Sequence, residues 1–191
     1  MRKIDSILDN PIDNFFIYLA EVSSPFLYKT GHTPNIITTY SFISGLASLY
    51  FLYLDKRREF AFFFVLNYIF DCFDGYFARR YDMITPFGDF YDHVTDILIP
   101  FGMLVILGIK YYQRRSFPRL SVLILLGSLI FLTLVQFGCQ QKHISDDKKI
   151  EESLDKLIPL CPNKERIHIS KFFGSGTLIV VIAILVGSSA L

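Results

Sequence analysis

Much that marks a soluble enzyme is missing from this 191-residue chain. There is no glycine-rich P-loop, no zinc-ligand spacing and no internal repeat. Only three cysteines occur, Cys72, Cys139 and Cys161, in neither a metal-ligand nor a disulfide pattern, so reduced structural thiols are expected. Histidine is almost as scarce, and His32, His143 and His168 read as surface groups. An excess of either charge is absent as well: 19 lysines and arginines face 18 acidic residues. That balance offers no basic patch for a polyanion, so nucleic acid is not an expected partner. Met1 to Leu8 lacks the long apolar stretch of a cleavable signal.

Charge is also missing locally, over stretches long enough to matter. Ile36 to Leu54 carries none in 19 residues, which at helical rise spans roughly the ~30 Å hydrocarbon layer of a bilayer. Phe60 to Phe77 is charge-free until Asp71, and Phe90 to Ile109 is charge-free after Asp96. Leu120 to Gly138 and Phe172 to Leu191 carry no ionisable group. With 52% hydrophobic residues and a mean hydropathy of +0.40, a soluble chain this short could not bury five such segments. The expected fold class is therefore all-α, a polytopic transmembrane helix bundle of five spans in a single domain, 1–191. Twelve lysines and arginines fall on the side of the N-terminus and seven on the other. This places the N-terminus, and the polar ends of spans two and three, in the cytoplasm.

The remaining segments read as follows. Asn10 and Pro11 form a helix start, after which Ile12, Phe15, Phe16 and Leu19 recur at helical spacing, with Asp13, Asn14 and Glu21 elsewhere. The N-terminal segment 1–35 is thus expected to hold an interfacial amphipathic helix lying on the membrane or, equally, a cytosolic helix packed on the next segment. Within the first span, Ser41, Gly45 and Leu49, or Ser44 and Ser48, give a small-residue face for close helix packing. Residues 139–171 form a cytoplasmic connector between spans 36–138 and the fifth span at 172–191, and Leu157 to Leu160 is too short and proline-bounded to be a further span.

Four aspartates stand out against this apolar background. Asp71 and Asp74 are three residues apart, and Gly88, Asp92 and Asp96 follow one another at steps of four, so each set shares one face of its own helix. Joined by a short turn, the two faces make an acidic pocket at a membrane surface. Ionised carboxylates there are costly unless paired, and a divalent cation is the natural compensation. A cation-transport site or a catalytically silent scaffold are the alternative uses of such a cluster. Transport would place carboxylates deeper in the spans, and silence would not preserve all four.

Asp71-Cys-Phe-Asp74-Gly75-Tyr-Phe-Ala78-Arg79, eight residues, Gly88, three residues, Asp92, three residues and Asp96 resembles the signature of the CDP-alcohol phosphotransferase family in every fixed position. Thr33-Pro-Asn35 before the first span adds to the likeness. The resemblance implies transfer of a substituted phosphoryl group from a CDP-linked donor to an alcohol in the membrane, with Mg²⁺ or Mn²⁺ as cofactor and release of CMP. Asp71, Asp74 and Asp92 would hold the metal, and Asp96, as general base, would stay off it or share a second ion. Gly75, Ala78, Arg79, Gly88 and Asn35 would contact the nucleotide. Arg80 reads as a topology anchor at the interface.

Two branches stay open. In one, CDP-diacylglycerol donates phosphatidyl to a polar alcohol; in the other, CDP-choline or CDP-ethanolamine donates its head group to diacylglycerol. His93 after Asp92 resembles the second, whereas the length of about 200 residues suits the first. Of the basic groups that could bind a phosphorylated acceptor, Arg80, His168 and Lys171 are candidates. Family members commonly have six spans and form homodimers, so a homodimer is an expectation, and five spans suggest a shortened relative or one completed by a partner.

Overall fold

The structure, a computed structural model, describes residues 4–114, 120–143 and 155–188. Its long elements are α1 (Pro11–Lys29), α2 (Pro34–Tyr53), α3 (Arg57–Arg80), α4 (Pro86–Arg114) and α5 (Leu120–His143), followed by a short α6 (Ile167–Ser170) and α7 (Ser175–Gly187). No strand occurs among the described residues. Five stretches are long and apolar enough to cross a membrane: α2, α3, α4, α5 and Lys164–Gly187. The protein is thus an all-helical integral membrane protein, and the spans extend a few residues beyond the charge-free runs. The fifth is interrupted. Short 3₁₀ turns at Lys164–Arg166 and Lys171–Phe173 flank α6, and only the 13 residues of α7 are continuous helix, about 20 Å long.

Helix starts follow the sequence. The Asn10 side chain accepts from the amides of Ile12 and Asp13, and Thr33 caps α2 through the amide of Ile36, each with proline at the next position. Thr85 does the same ahead of Pro86, accepting from the Gly88 amide at 3.0 Å. The stops are less obvious. Three turns close alike: His32 N donates to Leu27 O, Lys56 N to Phe51 O and Met83 N to Ala78 O, each around a residue of positive φ. Only the first of those residues is glycine, Gly31; the other two are Asp55 (φ 59°) and Asp82 (φ 54°). Aspartate tolerates the left-handed region better than most side chains, so these turns stay tight without glycine. The Asp82 turn reverses the chain between α3 and α4, the two helices that bear the acidic motif.

Packing centres on α2 and α3. Helix α3 also meets α1 and α7, whereas α4 packs chiefly on α2 and shares little direct contact with α3. The small-residue face of α2 is used as its sequence suggests. Ser41, Ser44 and Ser48 are buried, and a side chain at Gly45 would collide with Ile99 of α4. Ser41 Oγ donates to Asn67 O at 2.9 Å, and Asn67 Nδ2 returns bonds to Ser41 O and Oγ, clamping α2 to α3. The main apolar core of Leu52, Phe60, Phe64, Ile99, Met103, Ala183 and Val186 lies toward the end of the bundle opposite the aspartates. There Lys110 Nζ pairs with Asp55 Oδ2 at 2.9 Å and donates to Tyr53 O, fixing α4 to the α2–α3 turn.

Two expectations need correction. Cys139 and Cys161 are joined in a disulfide, not reduced; Cys72 is free. The chain after α5 folds back so that Cys161, Ile167, Ile4 and Leu8 pack around Cys139, a contact across 22 residues that no local spacing announces. Asp13 does not stand apart from all the apolar positions of α1. It is buried with Phe16, Ala20 and Ser24 on the side of α1 that meets α3, while Phe15, Tyr18, Val22 and Phe26 form an exposed apolar stripe. That stripe is the face an interfacial helix would give to lipid. Tyr68 Oη sits 2.8 Å from both Asp13 Oδ1 and Ser175 Oγ, so one carboxylate links α1, α3 and α7.

Burial, only partly offset by the Tyr68 and Ser175 hydroxyls, raises the Asp13 pKa from 3.8 to about 6. The folded state therefore holds this proton more tightly than the unfolded chain. Its contribution to stability is complete below pH 3.8 and is lost as pH rises to about 6. The expected outcome is a stability difference between the native protein and Asp13→Asn that changes between pH 4 and 6 and is flat above, measured by thermal unfolding in detergent. A constant difference across that window contradicts this assignment.

Candidate active site

The acidic motif occupies the last turns of α3 and the first turns of α4. Residue spacing puts Asp71 and Asp74 on one side of α3, and the turn at Asp82 with the Thr85 cap returns Asp92 and Asp96 to them. Carboxylate oxygens of Asp71, Asp74 and Asp92 all lie within 4.8 Å of one another. Asp74 is buried, Asp71 and Asp92 are half-buried and Asp96 is exposed. Asp96 is within hydrogen-bonding reach of Asp71. Around the cluster, Thr38 Oγ1 of α2 donates to Asp74 Oδ2 at 2.6 Å.

Three ionised carboxylates this close repel one another by roughly 3 kcal/mol per pair at an effective dielectric of about 20. The sum over three pairs approaches the whole stability of an ordinary domain, so the arrangement calls for a cation. All-oxygen ligands from short side chains suit a hard divalent ion such as Mg²⁺ or Mn²⁺. The residues present therefore fit the group expected from the motif.

The other motif positions gather close by. A Cβ placed on Gly75 would stand 3.3 Å from both terminal nitrogens of Arg79, so the guanidinium folds back over the glycine. A Cβ on Gly88 would meet Asn35 Oδ1 at 2.8 Å and Thr85 Oγ1 at 3.0 Å, which brings the start of α2 against the start of α4. Tyr91 is 3.3 Å from the Thr39 hydroxyl on the same side. Gly88 thus faces Asn35. Ala78 is half-buried, and its carbonyl closes the α3 stop.

A model of the CDP-alcohol phosphatidyltransferase family matches residues 31–187. The chain belongs to this family. It is 26% identical over 179 residues to the CDP-diacylglycerol–inositol 3-phosphatidyltransferase of Candida albicans, covering 85% of this chain and 74% of the relative. It is 36% identical over 150 residues to the CDP-diacylglycerol–glycerol-3-phosphate 3-phosphatidyltransferase of Rickettsia bellii, covering 76% and 70%. The relative of that name from Rickettsia felis is 37% identical over 96 residues, about half of each chain. No solved structure matches. The protein is accordingly a membrane transferase of phospholipid synthesis.

The basic groups considered for an acceptor site are largely committed elsewhere. Arg80 donates to Glu21 O at 2.8 Å and Ser24 Oγ at 3.2 Å, and Tyr28 stacks on Tyr81 beside it, so Arg80 fastens α1 to α3. Lys171 Nζ donates to Ile7 O at 2.8 Å. His168 is exposed, and His93 lies 2.8 Å from Asp89 O within its own helix. Sequence reasoning passed over Thr38. Its only signal was a hydroxyl one turn after Asn35, on the face of α2 that continues through Ser41 and Gly45.

If Asp92 contributes a ligand oxygen, Asp92→Asn is expected to weaken Mn²⁺ binding at least ~10-fold, the loss typical when a metal site is disturbed. Isothermal titration of purified protein checks this, and unchanged affinity removes Asp92 from the ligand set.

Proposed function

We propose that this enzyme transfers the phosphatidyl group of CDP-diacylglycerol to a polar alcohol, releasing CMP, with Asp71, Asp74 and Asp92 holding the divalent cation and Asp96 acting as general base. The observation that carries this reading is the convergence of three carboxylates within 4.8 Å, with a fourth, exposed, beside Asp71. The branch is supported by the relatives, whose names specify CDP-diacylglycerol with inositol or glycerol-3-phosphate.

The chain's residues divide the work by exposure. Asp71, Asp74 and Asp92 would hold the cation, which would supply neutralising charge for the pyrophosphate oxygens and the leaving CMP. Asp96, open to the acceptor side, takes the hydroxyl proton as the alcohol oxygen bonds to the phosphorus bearing diacylglycerol. The bond from that phosphorus to the bridging oxygen breaks, and its electron pair leaves with CMP. Arg79, held over Gly75, presents a planar donor fork to a phosphate or to the cytosine ring. Asn35 and Gly88 form the facing wall, where the missing side chain of Gly88 lets Asn35 pack against the start of α4 and sets it beside the nucleotide. The excess of lysine and arginine on the N-terminal side supports a cytoplasmic orientation of this pocket.

Membranes containing the protein, with Mg²⁺ or Mn²⁺, can be given labelled CDP-diacylglycerol with inositol or glycerol-3-phosphate, and in parallel CDP-choline or CDP-ethanolamine with diacylglycerol. Lipid product from the first set alone is expected; product from the second alone overturns the branch. Asp96→Asn is expected to lower turnover ~10²-fold or more while sparing CDP-donor binding, in keeping with loss of a general base. Native turnover in that variant removes Asp96 from the role.

A further inference from the structure

Asp74 is the most deeply buried of the four carboxylates, 4% exposed, and one of its oxygens is already engaged. Thr38, itself 3% exposed, reaches it across the α2–α3 interface at 2.6 Å. The same hydroxyl lies 3.1 Å from Pro34 O. A hydroxyl has a single proton, and the shorter, charge-assisted contact claims it, so the donor points at Asp74. Branching at Cβ limits Thr38 to few rotamers in a helix, which holds the oxygen in place. The Gly75 backbone amide adds a second bond to Asp74. The carboxylate is therefore held by two elements before any cation arrives.

A purely structural role explains this contact poorly. One turn further on, Ser41 and Asn67 already make three hydrogen bonds between α2 and α3, and Ser44 and Ser48 bury the rest of the seam. The Thr38 bond adds little to that joint. Its distinctive effect falls on a single oxygen of one carboxylate in the acidic cluster. Partners of this kind fix the orientation of metal-binding carboxylates, and their loss typically lowers metal affinity 10- to 100-fold.

We infer that Thr38 is a positioning residue for the cation site: its hydroxyl sets the Asp74 carboxylate in the orientation that completes the cluster with Asp71 and Asp92. This ties α2, which also carries Asn35 to the nucleotide wall, to the readiness of the site for metal. The inference rests on the metal-binding reading above.

Mn²⁺ binding to purified, substrate-free protein, followed by electron paramagnetic resonance, tests it in the native chain, Thr38→Val and Thr38→Ser. Valine keeps the shape without the hydroxyl, and serine keeps the hydroxyl. Thr38→Val is expected to bind Mn²⁺ at least ~10-fold more weakly, with Thr38→Ser close to native and the metal-free melting temperature unchanged in both. At saturating metal, kcat of Thr38→Val should recover and the donor KM should match the native value. Native Mn²⁺ affinity in Thr38→Val overturns the inference alone. So does a loss accompanied by a lower metal-free melting temperature, or a loss equal in valine and serine. Failure of the native chain to bind Mn²⁺ overturns it together with the metal-binding reading.

Discussion

Mutual repulsion of carboxylates at the edge of an apolar bundle is the constraint around which this structure is arranged. Three aspartates whose oxygens meet within 4.8 Å will push α3 and α4 apart unless something else holds the helices and something else neutralises the charge. The first task falls to α2. It clamps α3 through Ser41 and Asn67, admits α4 at Gly45, and leaves the two acid-bearing helices with little contact of their own. At the far end, the Phe60–Phe64 core and the Lys110–Asp55 ion pair supply favourable burial and charge pairing, away from the strained end. The second task would fall to the divalent cation that these carboxylates are proposed to hold.

The N-terminal helix has a related part. Arg80, next in sequence to the Arg79 that covers Gly75, turns away from the pocket to grip α1. Adjacent residues on a helix point about 100° apart, so two neighbouring arginines can serve the proposed nucleotide contact and a scaffold contact respectively. Asp13 anchors the other end of α1 to Tyr68 and Ser175, one turn of α3 before Asp71. The base of the acidic helix is thereby braced on the side that α2 does not cover.

How much of this was legible in the sequence depended on whether the signal was local. Charge-free runs located every span because lipid demands apolar residues regardless of tertiary contacts, and steps of three and four put the aspartates on common faces. Helix starts at Asn10 and Thr33 were equally local. Stops at Asp55 and Asp82 were hidden because aspartate stands where glycine would have announced the turn. Contacts made only in three dimensions left no trace: the Cys139–Cys161 bridge, the inward turn of Asp13, the Arg80 clasp and the Thr38 bond to Asp74. Asp13 misled for a physical reason. On α1 the apolar residues cover two faces, one packed and one exposed, so periodicity alone could not say which face the carboxylate joined.

The most direct test of the account is the position of Mn²⁺ by anomalous diffraction from crystals of the protein grown with the ion. The account predicts anomalous density bounded by carboxylate oxygens of Asp71, Asp74 and Asp92, with Asp96 at its margin. Density elsewhere on the protein, or none at these carboxylates when the ion is saturating, would contradict it.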